Sequence, residues 1–134
     1  MKTKIEKLIL AFLVLLLISI SGCNKDDEQE LTRTQLLTRN WNITYIDGLT
    51  VTDFCGLDAV LLYINEDHTL ILKAILGKES YSIDYTWNWE GDEDTIFLSS
   101  SNSYTNWKVQ KLDENDLWFT DISDGMLYKC KSFD

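Results

Sequence analysis

The chain has 134 residues, enough for one small domain, and its 22 acidic and 12 basic residues give a formal net charge of −10. A surface of this charge repels the phosphate backbone of nucleic acids, so the composition argues against a nucleic-acid partner. It equally disfavours adsorption to anionic lipid. Membrane attachment of such a domain therefore requires a covalent tether.

The N-terminus has the layout of an export signal. Residues 1–7 carry three lysines, and Leu8–Ile20 is an almost wholly apolar run without a charge. The run is shorter than the ~20 residues of a membrane-spanning helix. It ends in the small pair Ser21-Gly22 before Cys23, which resembles the lipobox of bacterial lipoproteins. We therefore predict a signal peptide over residues 1–22 and an acyl anchor on Cys23, with an uncleaved transmembrane anchor as the alternative.

The segment after the cysteine is polar and mostly acidic, which predicts a flexible tether over residues 23–33. Its Lys25-Asp26-Asp27-Glu28 resembles the lysine-then-acidic export signal of surface-displayed lipoproteins in some Gram-negative groups. The resemblance implies a lipid-anchored protein on the outer membrane, exposed at the cell surface. The alternative is the periplasmic face.

Residues 34–134 are predicted to form the folded domain. Leu31–Arg39 has helical spacing with Thr32 or Thr34 as a cap, and from Trp41 the hydrophobic period changes to two. The first strand ends at an Asp47-Gly48 turn, and Leu49–Leu57 is predicted as a loop. Further strands are predicted at Ala59–Ile64, Thr69–Leu76, Ser80–Glu90, Thr95–Leu98, Tyr104–Lys111, Leu117–Asp121 and Gly125–Phe133.

Eight short strands with turn-length connections favour an all-β, antiparallel up-and-down barrel preceded by a short helix. A two-sheet sandwich is the alternative. Closure of a barrel removes exposed strand edges, and we expect a monomer.

Several motifs along the domain resemble the lipocalin-like domains of small bacterial lipoproteins. An opening helix leads to a tryptophan in Leu36–Trp41, and an apolar hairpin follows in Leu62–Leu70. A tryptophan strand and acidic turn occupy Trp87–Leu98, and an apolar-Lys-Leu-acidic hairpin occupies Val109–Phe119, before the aromatic Tyr128 of the last strand. The chain departs from the pattern at Arg39, where a glycine is usual, and at Asp67-His68, where Asp-Gly is usual. The second departure requires His68 to adopt a turn conformation that favours glycine.

The strand Ser80–Glu90 places aromatic and aliphatic residues on one face and polar residues on the other. In a lipocalin-like barrel the apolar face points inward, which implies a pocket for a small apolar ligand. The alternative is that the rings fill the interior. The candidate pocket residues are Trp41, Tyr85, Trp87, Trp107 and Tyr128.

Beside Cys23, two cysteines remain, Cys55 and Cys130. An even pair in an exported chain is compatible with a disulfide, and two buried free thiols are the competing interpretation.

The sequence gives little support for catalysis. His68 is the sole histidine and lies in a predicted turn, and the carboxylates cluster at turns. One histidine and at most two thiols fall short of a structural zinc site. We therefore expect no enzyme, no catalytic residues, no metal and no cofactor.

Two functions follow from these observations. The first is a membrane-anchored lipoprotein whose lipocalin-like barrel binds a small apolar ligand. The second is a filled-barrel interaction module that contacts another cell-envelope protein or a glycan.

Overall fold

The computed structural model describes residues 31–134. The predicted signal peptide, residues 1–22, and the lipid-attachment residue Cys23 lie outside this range and remain predictions. The compact unit extends over Thr32–Asp134, two residues earlier than the predicted start of the domain. Within the described range no helix has the length and hydropathy needed to cross a bilayer.

Residues 31–134 form two short helices and nine strands. In chain order they are α1 (Arg33–Leu37), β1 (Asn40–Ile46), β2 (Leu49–Thr50), α2 (Val51–Cys55), β3 (Ala59–Ile64), β4 (Thr69–Leu76), β5 (Glu79–Trp89), β6 (Thr95–Ser99), β7 (Tyr104–Leu112), β8 (Asp116–Asp121) and β9 (Leu127–Phe133).

The long strands close into a barrel. Sequential strands from β3 to β9 pair antiparallel, and β1 pairs with β3 on one side and with β9 on the other. The two-residue β2 pairs only with the end of β1. This arrangement confirms the predicted eight-stranded antiparallel up-and-down barrel and excludes the two-sheet sandwich.

The helix α1 covers one end of the barrel, which we call the closed end. Thr32 caps it: its Oγ1 accepts from the Gln35 N–H at 3.0 Å, and the Gln35 Oε1 accepts from the Thr32 N–H at 2.9 Å. Arg33 Nε donates to the Glu93 carbonyl at 3.0 Å, and Trp89 Nε1 donates to Thr34 Oγ1 at 2.9 Å. These bonds hold α1 against β5 and the β5–β6 turn. The predicted short helix is confirmed, with Thr32 as its cap.

The opposite end, which we call the open end, carries α2, the β4–β5 turn and the loops at residues 100–103 and 122–126. The prediction of a plain loop at Leu49–Leu57 was wrong here. Thr50 caps α2 by accepting from the Asp53 N–H at 3.1 Å, and Gly56, with φ of 76°, ends the helix. A five-residue helix with one buried residue, Val51, is too short to show a helical period.

Two turns depend on left-handed backbone conformations. Asp47 and Gly48 have φ of 51° and 88°, as a two-residue hairpin turn requires. His68 has φ of 70°, which confirms the conformation expected from its position. Its Nδ1 bonds with the Trp87 carbonyl at 2.9 Å and its ring lies 4.7 Å from that of Trp87. Because a carbonyl only accepts, Nδ1 is the donor in this bond.

The barrel interior is apolar and follows the alternation of the strands. Inward-facing side chains are buried over most of the barrel, while their sequence neighbours face outward. The fully buried residues, at 0% exposure, are Leu37, Trp41, Leu62, Leu70, Trp87, Ile96, Leu98 and Leu117.

Candidate functional site

The inward face of β5 changes from buried to exposed along the strand. Trp87 is 0% exposed and Tyr85 is partly buried, whereas Ile83 is 47% and Tyr81 59% exposed. The register with β4 is continuous, so these side chains share one face, as predicted. The inward face of β5 is therefore buried toward the closed end and exposed toward the β4–β5 turn.

Two of the predicted pocket residues fill the closed end. Trp41 Nε1 donates to the Leu37 carbonyl at 2.9 Å, and Trp87 Nε1 donates to the Asn65 carbonyl at 2.9 Å. Both rings are fully buried. Because each indole donor already has a main-chain partner, these side chains stabilise the barrel and have no free group to orient a ligand.

Two others belong to a stack of three rings in the interior. The centroids of Trp107 and Phe119 lie 3.9 Å apart, and those of Phe119 and Tyr128 lie 5.0 Å apart with planes inclined by 7°. The Tyr128 hydroxyl donates to Asp124 Oδ2 at 2.6 Å. Burial, and then this bond, raise the pKa of Tyr128, so the phenol stays neutral.

Asp121 is a site residue that the sequence analysis missed. Its Oδ1 accepts from the Thr105 hydroxyl at 2.6 Å and from the N–H and hydroxyl of Ser123, and its Oδ2 accepts from Trp107 Nε1 at 3.3 Å. The carboxylate thus ties the ring stack to the loop at residues 122–126. The signal in the sequence was Asp121-Ile-Ser, a short polar side chain two residues before a serine at a turn.

Tyr85, the fifth predicted pocket residue, contributes to a cleft of about 540 Å³ on the side of the barrel. The cleft has an apolar part and a rim of hydroxyls, with the one carboxylate of Asp84. Its lining residues are Thr69, Leu70, Ile71, Asp84, Tyr85, Thr86, Ser99, Ser100 and Ser101.

The disulfide considered for Cys55 and Cys130 is not present, and both are free thiols. Cys130 faces the interior from β9 at 1% exposure, and burial raises the pKa of its thiol. Cys55 lies in the last turn of α2, where its Sγ contacts the Val51 carbonyl at 3.2 Å. The thiol of Cys55 therefore points back along the axis of α2, the helix that the sequence analysis did not predict. The alternative was two buried free thiols. Both thiols are free, but only Cys130 is buried and Cys55 is exposed.

The outer wall carries a cluster of lysines around an aromatic ring. The Nζ atoms of Lys129 and Lys111 lie 4.2 Å and 4.7 Å from the ring centroid of Trp118. Asp116 pairs with Lys131 at 2.5 Å and with Lys111 at 3.3 Å. The bond from Lys131 is the main cause that lowers the pKa of Asp116. This cluster gives an otherwise acidic domain one local cationic surface.

The arrangement of titratable groups offers no obvious reacting centre. His68 lies at the closed end, next in sequence to Thr69 of the cleft, and its Nδ1 is bonded to the Trp87 carbonyl. Within residues 31–134, no three His, Cys, Asp or Glu side chains come together as metal ligands would.

The described domain has a lipocalin-like fold. It is similar in structure to a crystal structure of a lipocalin-like protein from Bacteroides uniformis, with a TM-score of 0.57 and 13% sequence identity, covering 72% of this chain and 98% of that protein. No protein-family model matches the sequence, and no curated protein matches it. The similarity in fold agrees with the resemblance inferred from the sequence motifs.

Proposed function

We propose that this protein is a lipoprotein of the outer membrane, anchored through acylated Cys23, whose barrel binds a small apolar molecule at its open end. The observation that carries the proposal is the gradient along β5, where inward-facing apolar side chains become exposed toward the β4–β5 turn. Lipocalin-like barrels of eight strands are wide enough to hold one small ligand.

The ligand site is shallow. The ring stack and the closed-end tryptophans occupy the interior below it, so the accessible apolar surface lies at the rim. Tyr81 and Ile83 contribute exposed surface there, and Met126 and Tyr128 pack against the core beside the same end. Because the phenol of Tyr128 bonds to Asp124, recognition relies on apolar contact more than on hydrogen bonds. A compact, largely apolar molecule fits this description.

A binding titration tests this site. The domain of residues 31–134, purified without detergent, is titrated with the neutral apolar dye Nile red. We expect one-to-one binding, weakened at least about tenfold when Tyr81→Ser and Ile83→Ser are combined, because burial of such side chains contributes about 1.5–3 kcal/mol each. The matched control is Tyr104→Ser, at an exposed tyrosine on the outward face of β7. An equal loss in the control, or no binding at all, contradicts the proposal.

The anchor is supported by the order of basic, apolar and small residues before Cys23 and by the acidic charge of the domain. Replacing Cys23→Ser is expected to abolish palmitate labelling and to release the protein from membranes. The control is Cys55→Ser, which changes an exposed thiol within the described domain. Retention of Cys23→Ser in the membrane would show that the anchor assignment is wrong. Protease accessibility in intact cells distinguishes surface exposure from the periplasmic face.

The second candidate is a filled-barrel interaction module that contacts an envelope protein or a glycan. Two observations favour it: the indole donors in the barrel are already bonded, and the outer wall carries the lysine cluster around Trp118. Under this function Nile red does not bind at the open end, and Lys129→Glu abolishes binding to the partner while leaving the barrel stable.

A further inference from the structure

Part of β5 has a neighbour on one side only. The strand pairs with β4 from Glu79 to Thr86, but it pairs with β6 only from Thr86 to Trp89. Over residues 31–134, no second strand covers the segment Ser80–Asp84. This segment is therefore an open edge in a barrel whose closure was expected to leave none.

The unpaired main-chain groups of this edge can be identified. The Trp87 N–H donates to the His68 carbonyl at 2.8 Å, so this odd-numbered residue of β5 faces β4. In an antiparallel strand the main-chain groups of alternate residues point to opposite sides. Ser80, Ser82 and Asp84 therefore direct their N–H and C=O groups away from β4. All residues of the segment are exposed.

Apart from the charge of Asp84, the edge lacks the devices that usually prevent pairing with another chain. Ser80–Asp84 contains no lysine, the chain contains no proline, and the β4–β5 register has no bulge. The inward face of the segment also presents the exposed apolar side chains of Tyr81 and Ile83. Such an edge is a template for an added strand.

We propose that a second copy of this chain supplies that strand, in a two-fold dimer whose β5 strands pair antiparallel about Ser82. Ser82 then faces its own counterpart, and Ser80 faces the partner subunit's Asp84. The three facing pairs form roughly six main-chain hydrogen bonds, two for each pair. Beyond this segment, at Thr86, β5 begins to pair with β6. The length that pairs in the dimer therefore matches the length of β5 that has no second neighbour within the barrel.

Side chains favour the same register. On the inward face, Tyr81 lies beside the partner's Ile83, and the symmetry repeats the contact. Aromatic and β-branched residues make favourable cross-strand pairs. The pairing joins edges and leaves the inward face open to solvent, so it does not depend on the proposed ligand, although Tyr81 and Ile83 take part in both.

The local charge permits a second copy and gives no attraction for a strongly acidic or a strongly basic partner. In the hairpin of β4 and β5 the charges of Lys73, Lys78, Glu79 and Asp84 cancel, whereas the whole chain carries −10. Two identical acidic proteins repel each other least where the local charge is zero. The hairpin is such a place, and its exposed apolar residues are the attractive surface.

Disulfide trapping in the full chain tests the proposal. Facing hydrogen-bonded residues have Cα atoms about 5.5 Å apart, within the range of a disulfide. Ser82→Cys in a Cys55→Ala background, oxidised in native membranes, is expected to give a cross-linked homodimer. Ser80→Cys is the matched control, because its two copies are about 13 Å apart along the strands. We expect at least a tenfold higher yield for Ser82→Cys.

Equal yields from the two variants, no cross-linked product, or a product with a different protein would overturn the proposal.

A second variant tests the dimer without disulfide trapping. Ser82→Pro deletes an N–H that points to the free side, so the barrel keeps its ladder to β4 while the dimer loses central bonds. Light scattering of the full chain in mild detergent is expected to show a dimer that becomes a monomer in Ser82→Pro. An unchanged mass in a folded variant would also overturn the proposal.

Discussion

The two ends of the barrel use similar residues for different purposes. At the closed end, the indoles of Trp41 and Trp87 are 0% exposed, and each indole donor is bonded to a carbonyl. At the open end, Tyr81 and Ile83 lie on the same inward face as Trp87 but are about half exposed. The comparison shows that the apolar face of β5 belongs to the buried core toward the closed end. Toward the open end the same face is exposed surface.

The largest effect is expected at the closed end. Trp87→Ala removes a fully buried ring and a hydrogen bond, and should lower the free energy of unfolding by about 3–5 kcal/mol in urea titrations. Tyr81→Ala, on the same face at the open end, should change it by less than about 0.5 kcal/mol. Similar losses in the two variants would remove the distinction between the ends.

The next effect concerns the link between the ring stack and the open-end loop. Asp121→Ala leaves the Thr105 hydroxyl, Trp107 Nε1 and the Ser123 groups without their acceptor, and should cost about 2 kcal/mol. Hydrogen exchange should also become faster in residues 122–126. The control is Asp94→Ala, at an exposed turn residue of the closed end. Unchanged exchange in the loop would show that the carboxylate does not hold it.

The two helix caps provide a smaller comparison. Thr32→Ala removes a capping box from α1 and should lower global stability by about 1 kcal/mol, because α1 seals the closed end. Thr50→Ala removes the cap of α2 and should mainly accelerate hydrogen exchange within Val51–Cys55. A global loss from Thr50→Ala as large as that from Thr32→Ala would mean that α2 is equally part of the cooperative core.

The smallest effect is a pH dependence on the outer wall. Lys131 and Lys111 lower the pKa of Asp116 from its ordinary value of 3.8. Because the folded-state pKa is the lower one, the stabilisation is present above the unfolded pKa and is lost as the pH falls through the folded pKa. Asp116→Asn should therefore be less stable than the wild type near neutral pH, with the difference vanishing in acid. A constant difference across the pH range would contradict the assigned pairing.

The sequence predicted elements well where the determinants are local. The β3–β4 hairpin has the predicted bounds, because Ala59–Ile64 and Thr69–Leu76 flank a polar turn whose residues favour turns. The cap of α1 was limited to Thr32 or Thr34 for the same reason, and the structure has Thr32. The helix α2 was missed because Thr50 and Gly56 mark its ends but its five residues are too few to show a helical period.

The candidate site was predicted only in part. Alternation identified the inward face of β5, but the depth of burial along that face depends on where β6 ends, which is a property of the whole barrel. Cys55 and Cys130 do not form a disulfide, and this likewise depends on how α2 orients the Cys55 thiol. The role of Asp121 required the positions of Thr105 and Trp107 on the neighbouring strand. None of these is a local property of the sequence.

The most direct test of the open-end site is native mass spectrometry of residues 31–134, expressed through the cell envelope and purified without detergent. The account predicts one equivalent of a bound small apolar molecule, which organic solvent removes and which the combined Tyr81→Ser and Ile83→Ser variant does not retain. A bare protein mass, together with no uptake of Nile red, would contradict ligand binding and favour the filled-barrel interaction module.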